Sequence, residues 1–120
     1  MMVWAMTFRR GSIYLANFNP SRGTEAGKIR PCVVMQSDLL NEANHPSTTV
    51  LPLTTQLIND AAPLRFRIKS RDNLKADSDI MLDQTRTIDN KRIKNDILTS
   101  LSQAETIEVE MLWQTVLGIE

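Results

Sequence analysis

Six polar residues stand in a loop, at strand ends or near a predicted strand bend, and have side chains that could act together. They provide one carboxylate, two guanidiniums, two hydroxyls and one amide. A carboxylate can accept a proton and a guanidinium can bind an anion, so the set suits proton transfer on an anionic substrate. The alternative is a solvated surface, where these residue types are common. The six residues are Glu25, Arg30, Thr54, Thr55, Gln84 and Arg86.

Two long loops would bring these residues to one end of the molecule. The first loop, Asn19–Ile29, carries Glu25 and leads directly into Arg30. The second loop, Leu57–Leu64, begins shortly after Thr54. Loops of this length are often functional, and loops that flank a small barrel converge at its ends. We therefore expect one polar rim built from both loops.

Short apolar segments predict a mainly β, α+β fold with a terminal helix, arranged as a small β barrel in a single domain over residues 1–120. The first strand has apolar residues on both faces, which indicates burial on both sides. Pro31 lacks a ladder donor and is expected to open the second strand or to lie at an edge. A short helical turn is expected at Asp38–Asn44. The predicted strands are Ile13–Phe18, Cys32–Gln36, Thr48–Leu53, Arg65–Lys69, Ile80–Ile88 with a bend near Gln84, and a short segment from Ile93.

The C-terminal segment has the pattern of an amphipathic helix. Ser102 and Glu105 have the spacing of a capping box, and Gly118 suits a helix end. The predicted helix therefore runs from Gln103 to Leu117, with an acidic face in solvent. Its apolar residues are expected to face the body of the protein. They are Ile107, Val109, Met111, Leu112, Trp113, Val116 and Ile119.

The composition argues against several classes of site. One Cys and one His cannot build a zinc site, and the carboxylates lack the spacing that would hold Mg²⁺. No Gly-rich phosphate loop and no nucleophile elbow occurs. We therefore expect neither a metal ion nor a cofactor. Cys32 is expected to be a buried apolar residue rather than a nucleophile. His45 is expected to be exposed at a loop tip, with a substrate contact as the alternative.

Charge is distributed unevenly along a chain whose formal net charge is zero. Residues 1–94 hold all 14 Lys and Arg but nine of the 14 Asp and Glu, and residues 95–120 hold the other five acidic residues. A basic face on the body is therefore possible, with scattered surface charge as the alternative. No apolar run approaches the roughly 20 residues of a membrane span, and Met1–Phe8 lacks the features of a signal peptide. We expect a cytoplasmic protein without membrane contacts.

Four sequence blocks match a known pattern in both content and order. They are Arg10–Tyr14, Gly23–Glu25 with Arg30–Pro31, Leu51–Gln56, and Asp83–Asp89. Together, over roughly residues 9–119, they resemble the MazF/PemK family, the toxins of bacterial toxin–antitoxin pairs. The loop departs from the common family pattern at Ala26 and Lys28, where many members have Gln and Gly.

The resemblance implies an SH3-like barrel of the CcdB/PemK type, a homodimer, and a metal-independent endoribonuclease that cuts single-stranded mRNA at short sequences. It also implies a small MazE-like antitoxin whose extended tail covers the RNA site. The family's catalytic arginine falls on Arg30, its catalytic threonine on Thr54 and its loop glutamate on Glu25. The expected RNA-binding residues are Asn19, Arg22, Thr24, Lys28, Thr55, Gln56, Gln84 and Arg86.

RNA cleavage suits these residue types. RNA supplies its own nucleophile, the 2′-hydroxyl, and internal attack predicts a 2′,3′-cyclic phosphate and a 5′-hydroxyl. Arg30 and Thr54 can donate hydrogen bonds to the phosphate. Glu25 is the only carboxylate of the set and is therefore the candidate general base. Three aromatic residues could stack on unpaired bases, with a place in the core as the alternative: Trp4, Tyr14 and Phe18.

Two non-catalytic functions are the alternatives to a nuclease. A CcdB-like toxin shares the barrel and acts by binding a protein such as DNA gyrase, which does not require Arg30 or Thr54. The presence of both residues in their family contexts favours the nuclease. An SH3-like module for Pro-rich peptides typically has an aromatic-lined groove, and an aromatic content of 5% disfavours it.

Overall fold

A computed structural model describes residues 7–119 as a mainly β structure that ends in an α-helix. The predicted α+β class is confirmed, and so is the short helical turn after the second strand. The elements of the described residues are β1 Ser12–Asn17, β2 Ile29–Val34, α1 Asp38–Glu42, β3 Ser47–Thr54, β4 Arg65–Ile68, β5 Ser78–Met81, β6 Arg86–Asp89, a 3₁₀ turn Asn90–Arg92, β7 Ile93–Ser100 and α2 Gln103–Leu117.

The strands pair antiparallel in the order β4-β5-β3-β2-β1-β7, and β6 pairs with β3 beside this path. The long strand β3 makes this possible because different parts of it bind different partners. Residues 47–50 pair with β6, whereas Leu53 and Thr54 pair with β5. Among residues 7–119 no pairing joins β4 to β7, so the sheet is not closed by hydrogen bonds.

The central strands are buried on both faces, as predicted for β1. Side chains alternate between faces along a strand, and here each face meets its own apolar cluster. Ile13 and Val33 belong to the cluster that α2 covers, and Tyr14 and Cys32 belong to the cluster on the other face. All four side chains are at most 1% exposed. Polar side chains therefore have room mainly at the strand ends and in the loops.

Helix α2 begins and ends at the predicted residues. The Glu105 amide donates to Ser102 Oγ, and the Ser102 amide donates to Glu105 Oε1 at 2.8 Å, which completes the capping box. At the other end Gly118 takes the left-handed conformation, with φ of 73°. Both signals are local in sequence, and both predictions are confirmed.

The apolar face of α2 is narrower than predicted. The stripe that packs on the core consists of Val109, Leu112, Trp113 and Val116. These positions follow the i, i+3, i+4, i+7 spacing of a single helix face. The prediction was wrong for Ile107, Met111 and Ile119, which are 51%, 61% and 57% exposed. They are apolar but lie away from that stripe.

Strand β2 begins at Ile29, three residues before the predicted start at Cys32. Pro31 therefore does not open the strand, and the structure shows the other predicted alternative, a place at a local edge. Pro31 stands opposite Leu15 of β1, and the pairing with β3 begins only at Cys32. The missing N–H thus falls where β2 pairs on one side alone. Arg30, which the prediction placed before the strand, is the second residue of β2.

The predicted strand Ile80–Ile88 is two strands, β5 and β6, separated by a turn. The Gln84 amide donates to the Met81 carbonyl across this turn at 3.2 Å. The sequence predicts only a bend near Gln84, whereas in the structure one strand ends there and the next pairs with a different part of the sheet. β5 pairs with β4 and the end of β3, whereas β6 pairs with the start of β3.

A two-point ion pair joins α2 to the segment before β5. Arg71 donates from Nη1 to Glu105 Oε2 at 2.8 Å and from Nη2 to Oε1 at 2.7 Å. Arg71 also donates from Nη2 to the Ser100 carbonyl at 2.9 Å. These hydrogen bonds outweigh partial burial and lower the pKa of Glu105 to about 2. The carboxylate therefore favours the folded state while it is ionised.

We expect Glu105→Gln to lower the free energy of unfolding by about 1–2 kcal/mol at neutral pH, because it keeps the helix cap but removes the charge. The folded pKa lies below the ordinary one, so this stabilisation is present above about pH 4.5 and is lost as pH falls towards about 2. Urea unfolding followed by circular dichroism should show wild type and variant converging at low pH. Glu108→Gln, at an exposed position of α2, is the control. A difference that is undiminished at pH 2 would contradict the assignment.

Candidate active site

A cavity of about 600 Å³ opens between the first long loop, the end of β3 and the strands β4 and β5. It brings together seven of the eleven residues predicted for the site. The two long loops do meet at one rim, since each contributes lining residues. The predicted residues that line the cavity are Thr24, Lys28, Arg30, Thr54, Thr55, Gln56 and Gln84.

The first long loop is closed at its base and packed against itself. The Phe18 amide donates to the Lys28 carbonyl at 2.8 Å, and the Lys28 amide donates to Asn19 Oδ1 at 2.8 Å. Gly27 lies where the loop folds back on itself. A Cβ atom there would be 2.6 Å from Ser21 Oγ and 3.3 Å from Asn19 Oδ1, so a larger residue would have to displace the Ser21 side chain.

Arg30 is fixed by two main-chain carbonyls. Its Nε donates to the Gly27 carbonyl at 2.7 Å, and its Nη1 donates to the Leu53 carbonyl at 3.2 Å. The second bond places the guanidinium beside Thr54, the residue that follows Leu53. Nη2 of Arg30 has no hydrogen-bond partner within residues 7–119. Burial lowers the pKa of Arg30, and no carboxylate among residues 7–119 forms an ion pair with it.

Thr54 ends β3 and starts a turn. Its Oγ1 accepts a hydrogen bond from the Gln56 amide at 3.1 Å. Because that bond uses an oxygen lone pair, the hydroxyl proton stays available for a ligand in the cavity. Arg30 and Thr54 therefore present N–H and O–H donors to the same space, which suits an anionic group.

A buried carboxylate that was not apparent from the sequence holds the second long loop. Asp79 is 1% exposed, and its Oδ2 accepts from the Ile58 amide at 2.9 Å and from Arg65 Nη1 at 3.2 Å. Its Oδ1 accepts from Arg67 Nε at 2.9 Å. Burial by itself raises the pKa of Asp79, but these hydrogen bonds and charges outweigh it and hold the pKa below its ordinary value.

Arg65 also lines the cavity and was missed as a site residue. The alternation of Arg65, Phe66 and Arg67 predicts a strand with one solvent-exposed face. That pattern cannot show that both arginines bind the same buried carboxylate. In the sequence Asp79 stands at the end of a polar stretch, directly before apolar residues, and nothing there marks it as buried. Only the pairing of β4 with β5 brings it opposite Arg67.

The turn between β5 and β6 holds the middle of the first loop. The Ala26 amide donates to Gln84 Oε1 at 2.9 Å. Arg86 Nη1 donates to the Phe18 carbonyl at 2.8 Å and, more weakly, to the Ala26 carbonyl at 3.4 Å. The Arg86 guanidinium also lies 5.5 Å from the centre of the Phe18 ring. Arg86 thus joins the loop to the core.

Four predicted site residues do not line the cavity. Glu25 is exposed, and its Oε1 accepts from the Arg22 amide at 2.8 Å, next to the lining residue Thr24. Asn19 and Arg22 are exposed at the near end of the loop, and Arg86 lies beneath it. Their roles in catalysis or RNA binding stay predictions.

The remaining candidates fall mostly in the core. Tyr14 and Phe18 are 1% and 0% exposed, so they pack inside the protein and cannot stack on a ligand. Trp4 lies outside the described residues. Cys32 is buried, and burial raises the pKa of its thiol to about 12, which confirms the prediction of a non-nucleophilic residue. His45 is exposed, as predicted.

The charged side chains that line the cavity are Lys28, Arg30, Arg65 and Asp83, an excess of positive charge. Among residues 7–119 no group of three or more His, Cys, Asp or Glu side chains could hold a metal ion. In the same part of the chain no helix is both long and apolar enough to cross a membrane.

Residues 9–117 match the family of PemK-like, MazF-like toxins of type II toxin–antitoxin systems. The chain belongs to this family. A relative of this PemK/MazF toxin, Endoribonuclease MazF of Staphylococcus epidermidis, is 38% identical over 112 residues, which cover 92% of each chain. The resemblance noted in the sequence is therefore confirmed.

Solved structures are similar to this PemK/MazF toxin over nearly their whole length. MazF of Deinococcus radiodurans superimposes with a TM-score of 0.78 and 20% identity, covering 94% of this chain and 98% of that one. A mycobacterial endoribonuclease that was solved with its cognate antitoxin superimposes with a TM-score of 0.72 and 17% sequence identity. The match covers 92% of this chain and 95% of that one. These similarities confirm the predicted CcdB/PemK-type fold.

The Gln84 contact generates a prediction for this PemK/MazF toxin. Gln84→Leu should speed amide hydrogen exchange at Ala26 by about two- to tenfold, since one net hydrogen bond contributes about 0.5–1.5 kcal/mol. The midpoint of thermal unfolding should change little, because the bond lies in a loop. Exchange measured by NMR tests this. Gln114→Leu, at an exposed position of α2, should leave Ala26 unchanged. Unchanged exchange in Gln84→Leu would show that other contacts hold the loop.

Proposed function

We propose that this toxin is an endoribonuclease that cleaves single-stranded mRNA by internal attack of a 2′-hydroxyl, without a metal ion. The observation that carries the proposal is that Arg30 and Thr54 line one cavity and are joined through the Leu53 carbonyl. The positive charge of that cavity suits a phosphate backbone. The name of the 38% identical relative, Endoribonuclease MazF, supports RNA as the substrate.

The proposed reaction exchanges one P–O bond for another. The 2′-hydroxyl gives its proton to a base, and the 2′-oxygen forms a bond with phosphorus. The bond between phosphorus and the 5′-oxygen breaks, and that oxygen takes up a proton. The products end in a 2′,3′-cyclic phosphate and a 5′-hydroxyl, and water does not enter this step.

Arg30 stabilises the negative charge that develops on the phosphate oxygens. Its Nε and one Nη1 proton are held by protein carbonyls, so the group is oriented before RNA binds. A preoriented donor of this kind contributes about 3–4 kcal/mol to the transition state. The positive charge of Arg30 supplies in this reaction what a metal ion supplies in others. We therefore propose a metal-independent reaction.

Thr54 donates a hydrogen bond from its hydroxyl group to the same phosphate. Its oxygen already accepts a hydrogen bond from the Gln56 amide, so the O–H is the part that remains available. Glu25 is the proposed general base for the 2′-hydroxyl. Its carboxylate lies outside the cavity but next to lining residues of the same loop, so RNA must approach from the loop side. Arg30 stays protonated near neutral pH despite its lowered pKa, so its proposed role is electrostatic.

RNA is recognised around this centre by polar side chains on the first long loop, directly after β3, on the β5–β6 turn and at the start of β6. Unpaired bases offer hydrogen-bonding edges that such groups can read. The proposed RNA-binding residues are Asn19, Arg22, Thr24, Lys28, Thr55, Gln56, Gln84 and Arg86.

We further propose a MazE-like antitoxin and a homodimer, acting in the cytoplasm. The structurally similar mycobacterial endoribonuclease was solved with its cognate antitoxin. A structure of MazE–MazF from Deinococcus radiodurans is also similar to this chain. An acidic, extended antitoxin segment along the cavity would compete with RNA for Arg30. Two-fold pairing would join two rims into one groove, long enough for several nucleotides.

Purified protein should cleave a long single-stranded RNA in EDTA, because Arg30 rather than a metal ion carries the charge stabilisation. Mapping of the cut ends should find 2′,3′-cyclic phosphate and 5′-hydroxyl termini. The 2′-deoxy analogue should resist cleavage because it lacks the nucleophile. Loss of activity in EDTA with recovery in Mg²⁺ would overturn the metal-independent chemistry. Intact RNA in every condition would favour a non-catalytic toxin.

Arg30→Ala should reduce the cleavage rate by at least about 100-fold, and Thr54→Val should lose most activity because it keeps the shape and removes the hydroxyl. Single-turnover cleavage, with the protein in excess of both the RNA and Kd, measures both effects. Circular dichroism should show folded variants, since neither residue belongs to the apolar clusters.

The matched controls are Arg9→Ala and Thr115→Val, both at exposed positions outside the cavity. They should cleave at the wild-type rate. Wild-type cleavage by Arg30→Ala or Thr54→Val would reject the role of that residue.

A further inference from the structure

Two arginines of β4 bind the same buried carboxylate but through different numbers of hydrogen bonds. Asp79 accepts from Arg65 through Oδ2 and from Arg67 through both oxygens. The side chains of Arg65 and Asp79 are 18% and 1% exposed, and that of Arg67 is 35% exposed. Of the two arginines, Arg65 lines the cavity that holds Arg30 and Thr54.

The donors that remain available differ between the two guanidiniums. Arg67 donates from Nε and Nη2 to Asp79 and from Nη1 to Asn59, so all three nitrogens are engaged. Arg65 uses Nη1 alone, for Asp79 and for the Gln56 carbonyl at 3.1 Å. Within residues 7–119, Nε and Nη2 of Arg65 have no hydrogen-bond partner.

The unused edge of Arg65 has the geometry that binds phosphate best. Nε–H and Nη2–H are parallel donors that can hold two oxygens of one phosphate at once. Arg30 cannot use that edge, because its Nε is bound to the Gly27 carbonyl. The two cavity arginines are therefore suited to different contacts with an RNA chain.

We propose that Arg65 is a second phosphate-binding residue of this site and binds a backbone phosphate next to the scissile one. Asp79 is the residue that positions Arg65. The inference rests on the proposed endoribonuclease function. Asp79 fixes Nη1 on the side away from the free edge. The Gln56 carbonyl fixes the same nitrogen and connects it to the turn that Thr54 begins.

Salt dependence of binding tests Arg65 directly. The probe is the 2′-deoxy analogue of a cleaved RNA, and the matched pair is Arg65→Gln and Arg67→Gln. Each phosphate contact to a single strand contributes about 0.7 to the slope of log Kd against log salt. Arg65→Gln should lower that slope by about 0.7 and weaken binding about tenfold at low salt. Arg67→Gln removes the same charge and should leave the slope unchanged.

Kinetics on the RNA itself separate binding from chemistry. Arg65→Gln should raise KM about tenfold with a much smaller effect on kcat, whereas Arg30→Ala should lower kcat. Thermal melts of each variant confirm that it is folded. Equal slopes for Arg65→Gln, Arg67→Gln and wild type would overturn the phosphate contact.

Asp79→Ala tests positioning through the sign of its effect. It removes a negative charge near the site, which alone would tighten binding of a polyanion. A positioning residue predicts the opposite, weaker binding of the same probe by several-fold. Tighter or unchanged binding would overturn the role of Asp79. If Asp79→Ala does not fold, Asp79→Asn gives the same comparison, since it also removes the charge and one acceptor.

Failure of this inference and failure of the proposed function are distinguishable. Wild-type protein that does not cleave RNA in any condition refutes the proposed function. Wild-type cleavage that depends on Arg30, together with an unchanged slope in Arg65→Gln, refutes the inference alone.

Discussion

Burial of the central strands on both faces is the constraint on which the rest of the structure depends. Because β1 and β2 pack apolar side chains above and below the sheet, the strand faces have little room for polar chemistry. The polar groups of the site therefore lie at strand ends. Arg30 stands near the start of β2 and Thr54 at the end of β3, and the carbonyl of Leu53 joins them.

The two arginines of the cavity are held by different kinds of acceptor, which gives them different electrostatic properties. Arg30 is bound by neutral carbonyls, so its full charge is available to a ligand. Arg65 is bound by the Asp79 carboxylate, which balances part of its charge and fixes its direction. A charge stabiliser needs the first arrangement, and an orienting contact benefits from the second.

Features with short-range causes could be predicted from the sequence. The limits of α2 follow from Ser102, Glu105 and Gly118, each within a few residues of the helix end it defines. The two-sided burial of β1 follows from its own residues. The family blocks named eleven site residues, and the cavity brings seven of them together.

Features that depend on distant pairing could not be predicted. Asp79 meets Arg65 and Arg67 only because β5 pairs with β4, and nothing near Asp79 in the sequence specifies that partner. The same limit explains why one strand was predicted where β5 and β6 separate. Their partners, β4 and opposite ends of β3, are set by the whole sheet.

The tight fold of the loop at Gly27 has a consequence for how such a protein can evolve. The carbonyl of Gly27 orients Arg30, and a Cβ atom at Gly27 would lie 2.6 Å from Ser21 Oγ, so a substitution there must displace the Ser21 side chain next to that contact. Exposed neighbours such as Arg22 and Lys28 make their loop contacts through main-chain atoms, and their side chains can be replaced without moving Arg30. The outer side chains of the loop can thus vary at little structural cost, whereas a change at its inner turn reaches the contact that orients Arg30.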